Sequence, residues 1–217
     1  MLSPIPANPE ASLGARNLLT RLYDLRGKCT LSAQHDYISS GTRYQKQIAC
    51  ITGRYPTIYG SDFSFLYQGG KPEAIQHCGP ANLTEPGHGI DEWERRPEKV
   101  FEPEGKPLFR EIDLHRERLA LMDRCIHLHR EGHIITLMWH GPVPDCGDRS
   151  GDHDLWTHDF FPEKRWRELL TPGSDLHLAW ENQVDRIAGY LKILADLDIP
   201  VLWRPYHEMN GGWFWWG

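Results

Sequence analysis

The segment from Arg204 to Gly217 holds the residue types best suited to catalysis. Its sequence places the carboxyl group of Glu208 between a histidine and a run of aromatic side chains. Hydrolysis of a glycosidic bond needs a carboxylic acid beside the scissile oxygen and a second carboxylate near the anomeric carbon. Apolar neighbours favour the protonated form that a general acid needs. The segment predicts carbohydrate chemistry with Glu208 as the acid; a structural carboxylate at a strand end is the alternative.

Three further residues are candidates for contact with a sugar. His207 directly precedes Glu208, His140 ends an apolar run, and Trp213 opens the aromatic run. Histidines bond sugar hydroxyls or orient carboxylates, and aromatic rings pack against the apolar faces of sugars but also fill protein cores. A plain core or loop histidine therefore stays open for His140 and His207, and core packing stays open for Trp213.

Composition argues against several other classes of function. The net charge of −6 and the pI near 6.0 provide no basic face for nucleic acid. No stretch approaches the ~18 apolar residues of a membrane span, and the N-terminus does not read as a signal peptide, which leaves the compartment open. Neither a cofactor nor a metal is predicted, since no GxGxxG motif occurs and Gly211 stands where an HExxH motif needs histidine.

Short apolar runs alternate with amphipathic segments along the chain. We predict strands over residues 29–33, 56–63, 133–139 and 199–204, and helices over residues 11–25, 43–52, 109–131 and 163–170 and from Ser174 onward. Apolar strands separated by helices are typical of a parallel sheet covered by helices. A doubly wound sheet and a (β/α)8 barrel both fit this α/β pattern. In both, chemistry gathers where strands end, here at His35, Asp62, His140 and Glu208.

The residues from Trp203 to Gly217 resemble the sequence around the acid/base of glycoside hydrolase family 26, the β-mannanase family. Residues 27–36, 56–63 and 135–140 resemble the same family in the same order. The resemblance implies a (β/α)8 barrel, a retaining mechanism and Glu208 as the general acid/base. It also implies that His207 is the histidine before the acid/base, and that His140 and Trp213 contact the sugar on the non-reducing side of the cleaved bond.

The implied activity is cleavage of β-1,4-mannosidic bonds in mannan, glucomannan or galactomannan, without a cofactor. A related β-1,4-xylanase or mixed-linkage glucanase, and a non-catalytic glycan-binding protein on the same scaffold, are the alternatives. The family carries its nucleophilic glutamate at the end of the seventh strand. We therefore expect residues 1–217 to form an incomplete barrel of about the first four βα units. Residues 68–107 are expected to be a long connection within it.

Two further expectations follow from an incomplete barrel. The nucleophile is expected beyond residue 217, which predicts that this chain alone is inactive. The outer strands of such a sheet would be unpaired, and unpaired edges favour association between copies. The sequence therefore predicts self-association of the 217-residue chain.

Overall fold

The computed structural model of the chain describes residues 4–36, 43–67, 74–76, 114–144, 150–151, 161–212 and 214–217. The helices within these residues are α1 (Leu13–Leu25), α2 (Arg43–Thr52), α3 (Leu114–Arg130), α4 (Glu163–Leu169) and α5 (Asp175–Ala195). The strands are β1 (Ala33–His35), β2 (Ile58–Asp62), β3 (Phe65–Tyr67), β4 (Ala74–Gln76), β5 (Ile134–Trp139), β6 (Ser150–Gly151) and β7 (Val201–Pro205).

The larger sheet contains four strands in the order β1-β2-β5-β7. Strands β1 and β2 pair in parallel, with Ala33 opposite Ile58 and His35 opposite Gly60. Strand β5 is apolar on both faces, because Ile134, Ile135, Leu137 and Trp139 are all buried. A parallel sheet with intervening helices confirms the predicted α/β class and supplies half of the ~8 strands of a complete barrel.

The first strand differs from its prediction. It covers Ala33–His35 rather than residues 29–33, and Cys29 is exposed. The pairing register with β2 explains the shift, since backbone hydrogen bonds to Ile58–Gly60 draw the polar residues Gln34 and His35 into the strand. An apolar run marks a strand only approximately, because the partner strand decides which residues pair.

A second, smaller sheet was not predicted. Its order is β4-β3-β6, with β3 antiparallel to β4 and parallel to β6. These strands contain two or three residues each, too few to show a hydrophobic period. Strand β4 lies within the long connection predicted over residues 68–107, and the rest of that connection lies outside the described residues.

The chain divides into two compact units. The first consists of Met1–Ser61, Arg118–Met138 and Asp185–Arg204, and the second of Asp62–Glu117, Trp139–Val184 and Pro205–Gly217. In the first unit, Ile187 and Leu194 of α5 are buried, as the spacing of apolar residues in this helix predicts. The second unit has an apolar cluster of Phe161, Leu169, Leu176 and Trp215, and it also contains His140, His207 and Glu208.

We expect Leu194→Ala to lower the free energy of unfolding by about 2–5 kcal/mol, because it leaves a cavity where a side chain with 0% exposure now packs. Leu197→Ala is the matched control, since Leu197 lies in the same unit but is 51% exposed. Urea denaturation followed by circular dichroism measures both changes. Equal destabilisation by the two substitutions would contradict the assigned core.

Candidate active site

The most deeply buried polar pair of the site joins the ends of two strands. His140 directly follows β5, and its Nδ1 atom lies 2.5 Å from Oδ2 of Asp62, the last residue of β2. The side chains are 1% and 0% exposed, respectively. Burying a carboxylate is costly unless it is paired and hydrogen-bonded, so this contact is a specific feature of the site.

Ser64 fixes both members of this pair from the turn that follows β2. Its backbone N–H donates to Oδ1 of Asp62 at 2.9 Å. Its hydroxyl donates to the carbonyl of His140 and accepts from the N–H of His140, both at 2.8 Å. Asp62 was predicted only as a polar residue at a strand end, and no sequence pattern linked it or Ser64 to His140.

The ring of His140 also contacts residues that follow β7. It lies edge-on to the ring of His207, with centroids 4.3 Å apart, and to that of Phe214 at 5.2 Å. The Trp216 ring is 6.3 Å away and stacks on Phe214 at 4.3 Å. The structure therefore brings together His140 and His207, two of the four predicted site residues.

The backbone around His207 is unusual on both sides. Tyr206 and Glu208 have φ angles of 47° and 59°, in the left-handed region that residues other than glycine seldom adopt. Each such residue costs about 1–3 kcal/mol and persists only where surrounding contacts hold it. Here the N–H of Tyr206 donates to the carbonyl of Trp139 at 3.2 Å, and the Trp216 indole donates to the carbonyl of His207 at 2.9 Å.

Glu208 is exposed in this conformation. The apolar surroundings expected from the sequence are not supplied by Met209, which is itself 67% exposed. Buried Phe214 belongs instead to the cluster around His140. An exposed carboxyl group on a constrained loop is accessible to a large substrate. Trp213 lies outside the described residues.

An aromatic cluster supports the loop after β7. Trp180 donates its indole N–H to the Tyr206 hydroxyl at 3.0 Å, and Trp215 donates to the carbonyl of Gly141 at 2.8 Å. Burial raises the pKa of Tyr206 to about 12, with the Trp180 bond acting in the opposite direction. Gly141 fits tightly here, since a Cβ atom at this position would lie 2.6 Å from Cε1 of Tyr206.

The described part of the chain has neither a clustered metal site nor a helix that could span a membrane. No group of three or more His, Cys, Asp or Glu side chains is arranged to hold a metal ion there. Among the helices described above, none has the length and apolarity required to cross a membrane.

Part of the chain, including this site, is similar in sequence to a family of enzymes. Residues 118–217 match the sequence model of "Glycosyl hydrolase family 26". The matched region includes His140, β7 and the loop that carries His207 and Glu208. Over these residues, just under half of the chain, the sequence is therefore similar to family 26 of the glycosyl hydrolases.

Two curated relatives are named for the same activity. The chain is 34% identical over 102 residues to a mannan endo-1,4-beta-mannosidase of Thermothelomyces thermophilus, covering 45% of this chain and 21% of that protein. It is 53% identical over 84 residues to mannan endo-1,4-beta-mannosidase B of a Piromyces species, covering 39% and 14%. The chain thus spans about a fifth or less of these two relatives' lengths.

Solved structures match over nearly the whole chain. The GH26A protein of a Muricauda species superposes with a TM-score of 0.70 at 28% identity, covering 97% of this chain and 53% of that one. A β-mannanase from a protist symbiont of the termite Reticulitermes speratus gives 0.63 at 22% identity, covering 98% and 54%. At 22% identity, the similarity to the termite-symbiont enzyme is evidence of a shared fold only.

Gly141→Ala should destabilise the second unit by about 1–3 kcal/mol, because the new methyl group would overlap the Tyr206 ring and force it to move. Gly189→Ala is the matched control: it lies in α5 with nothing within 4 Å of the added carbon and should be neutral or mildly stabilising. Thermal melting compares the variants. Tolerance of alanine at position 141 would refute the close packing of Gly141 against Tyr206.

A pH dependence follows from the raised pKa of Tyr206. The unfolded chain loses this proton near the ordinary tyrosine value of 10.0, whereas the folded chain keeps it to about pH 12. The stability contributed by Tyr206 is therefore complete below pH 10 and decreases as the pH rises towards 12. The stability advantage of the wild type over Tyr206→Phe should shrink between pH 9 and pH 11 in urea titrations. A constant difference would contradict the buried, neutral hydroxyl.

Proposed function

We propose that this chain is the acid/base-bearing part of a β-mannanase that hydrolyses β-1,4-mannosidic bonds with retention of configuration. The observation that carries the proposal is the family match over the loop after β7, which presents Glu208 next to His207, whose ring contacts the buried His140. The left-handed backbone at Glu208 supports a functional role, since such strain concentrates at active sites.

Glu208 acts first as the acid and then as the base. In the first step it donates its proton to the glycosidic oxygen while a second carboxylate attacks the anomeric carbon, which releases the leaving sugar and forms a glycosyl–enzyme bond. In the second step the Glu208 carboxylate takes a proton from water, and the resulting oxygen displaces the enzyme carboxylate. Following the family pattern, we assign the nucleophile to a seventh strand beyond residue 217.

His140, His207 and Trp213 are proposed to bind the sugar on the non-reducing side of the cleaved bond. The contact between the His140 and His207 rings supports a shared role for these two histidines, since His207 is the residue before Glu208 and His140 packs against it. Imidazole nitrogens are hydrogen-bond partners for sugar hydroxyls, and an indole ring is a platform for a sugar face.

The substrate we propose is a β-1,4-linked mannan, including glucomannan and galactomannan. The names of the Thermothelomyces and Piromyces relatives specify mannan, and the termite-symbiont enzyme was solved with a gluco-manno-oligosaccharide. A preference for xylan or mixed-linkage glucan is the alternative within the same chemistry, and parallel assays on the three polysaccharides distinguish them.

In the natural protein that contains these residues, Glu208→Ala should reduce hydrolysis of mannan by about 10²–10⁴-fold, because the leaving oxygen is no longer protonated. An aryl β-mannobioside with an acidic phenol needs no protonation to depart. The rate at which this substrate forms the glycosyl–enzyme, measured as the initial burst of released phenol, should therefore be largely unchanged. Glu163→Gln is the control, since it removes an exposed carboxylate whose ion-pair partner is Arg167 on the same helix.

If Glu208→Ala reduced the phenol burst from the aryl β-mannobioside as much as it reduced hydrolysis of mannan, the acid/base role would be contradicted. Unchanged hydrolysis of mannan would contradict any catalytic role for Glu208. If the wild-type protein binds mannohexaose in calorimetry but releases no reducing sugar, the non-catalytic glycan-binding alternative is correct.

A further inference from the structure

We propose that Asp62 is a positioning residue that holds His140 in the tautomer with its proton on Nδ1. His140 then offers Nε2 as a hydrogen-bond acceptor beside the loop that carries Glu208. The tautomer follows from the contacts of the pair itself, while its catalytic consequence rests on the function proposed above.

The contact between the two side chains is close and excluded from water. Nδ1 of His140 and Oδ2 of Asp62 are 2.5 Å apart, shorter than the roughly 2.7–2.9 Å usual for an N–H bond to an ionised carboxylate. An ionised carboxylate has no proton to donate, so the hydrogen between these two atoms belongs to the imidazole. In neutral histidine a proton on Nδ1 leaves a lone pair on Nε2.

The other contacts of Asp62 prevent it from turning away. Oδ1 accepts the N–H of Ser64, which leaves Oδ2 directed at the imidazole. The Ser64 hydroxyl forms two hydrogen bonds with the backbone of His140, so the same turn holds both the carboxylate and the main chain that carries the ring. The orientation of the imidazole ring is therefore fixed at two points, by the contacts of the His140 backbone with Ser64 and by the bond between Nδ1 and Asp62.

The orientation of this ring affects the neighbouring loop. His207 packs edge-on against His140 at an interplanar angle of 83°, and Phe214 packs at 68°. Rotation of the His140 ring would disturb both contacts, and His207 is the residue next to Glu208. Asp62 therefore acts on the loop through His140 and not through contact with the substrate.

The tautomer is measured by long-range ¹H–¹⁵N correlation NMR of this chain labelled with ¹⁵N-histidine. The His140 signals are assigned by their loss in His140→Gln. We expect a protonated Nδ1 and an unprotonated Nε2 in the wild type. In Asp62→Asn, which keeps the shape but removes the charge, the signals should move to a mixture of tautomers or to the Nε2–H form.

Two control variants separate positioning from stability. Asp185→Asn removes an exposed carboxylate and should leave the His140 signals unchanged. Ser64→Ala keeps the Asp62 carboxylate and should retain the Nδ1–H form. A wild-type His140 in the Nε2–H form would overturn the proposal, and this result does not depend on whether Asp62→Asn folds. A folded Asp62→Asn with the wild-type tautomer would also overturn it.

The catalytic consequence is tested in the natural protein. Asp62→Asn should lower kcat on mannan by about 10-fold or more, as expected for loss of a carboxylate that orients a functional histidine. A changed tautomer with unchanged kcat and KM would overturn the positioning role. Failure of the proposed function is a different result, in which the wild type does not hydrolyse mannan although the NMR spectrum shows the Nδ1–H form.

Discussion

The candidate site depends on the buried hydrogen bond between Asp62 and His140. A carboxylate with 0% exposure is stable only when hydrogen bonds replace its lost hydration, and the imidazole and the Ser64 amide donate such bonds. The pair links positions 78 residues apart in sequence, at the ends of β2 and β5. Loss of either partner would leave a polar group buried without compensation, so this contact restricts how both strand ends can be arranged.

The loop after β7 is constrained by a second set of contacts. Tyr206 packs over Gly141 and accepts the Trp180 indole N–H, and Trp216 donates to the carbonyl of His207. These contacts maintain left-handed backbone at Tyr206 and Glu208, a conformation that is unfavourable for an isolated chain. The aromatic residues after Glu208 thus have a structural role within the described part of the site, in addition to any contact with a sugar.

Much of the fold is predictable from the sequence, because the buried strands are short apolar runs and the helices have a clear apolar face. Strand β5 and helix α5 illustrate this, since both lie close to their predicted positions. Strand β1 was misplaced because its extent depends on pairing with β2, and the small sheet was missed because its strands are too short to show a period. Local patterns contain no information about such partners.

The site was also predictable only in part, because the sequence indicates candidate residues but not the tertiary contacts between them. Asp62 and His140 were noted as polar residues at strand ends and His207 as the residue before Glu208, and the structure brings these three together. The hydrogen bond between His140 and Asp62, the bridge formed by Ser64 and the close approach of Gly141 to Tyr206 are tertiary contacts that no sequence spacing reveals. The exposure of Glu208 was likewise unexpected, because adjacent aromatic residues suggested apolar surroundings.

The proposed role of Glu208 is to protonate the glycosidic oxygen of a β-mannan. A crystal structure of the Glu208→Gln variant of the natural protein with a β-1,4-mannooligosaccharide tests it most directly. We predict an oligosaccharide that crosses the loop after β7, with the side-chain amide within about 3 Å of a glycosidic oxygen and with His140 and His207 bonded to the adjoining sugar. An oligosaccharide bound elsewhere, with no glycosidic oxygen in reach of position 208, would contradict the account.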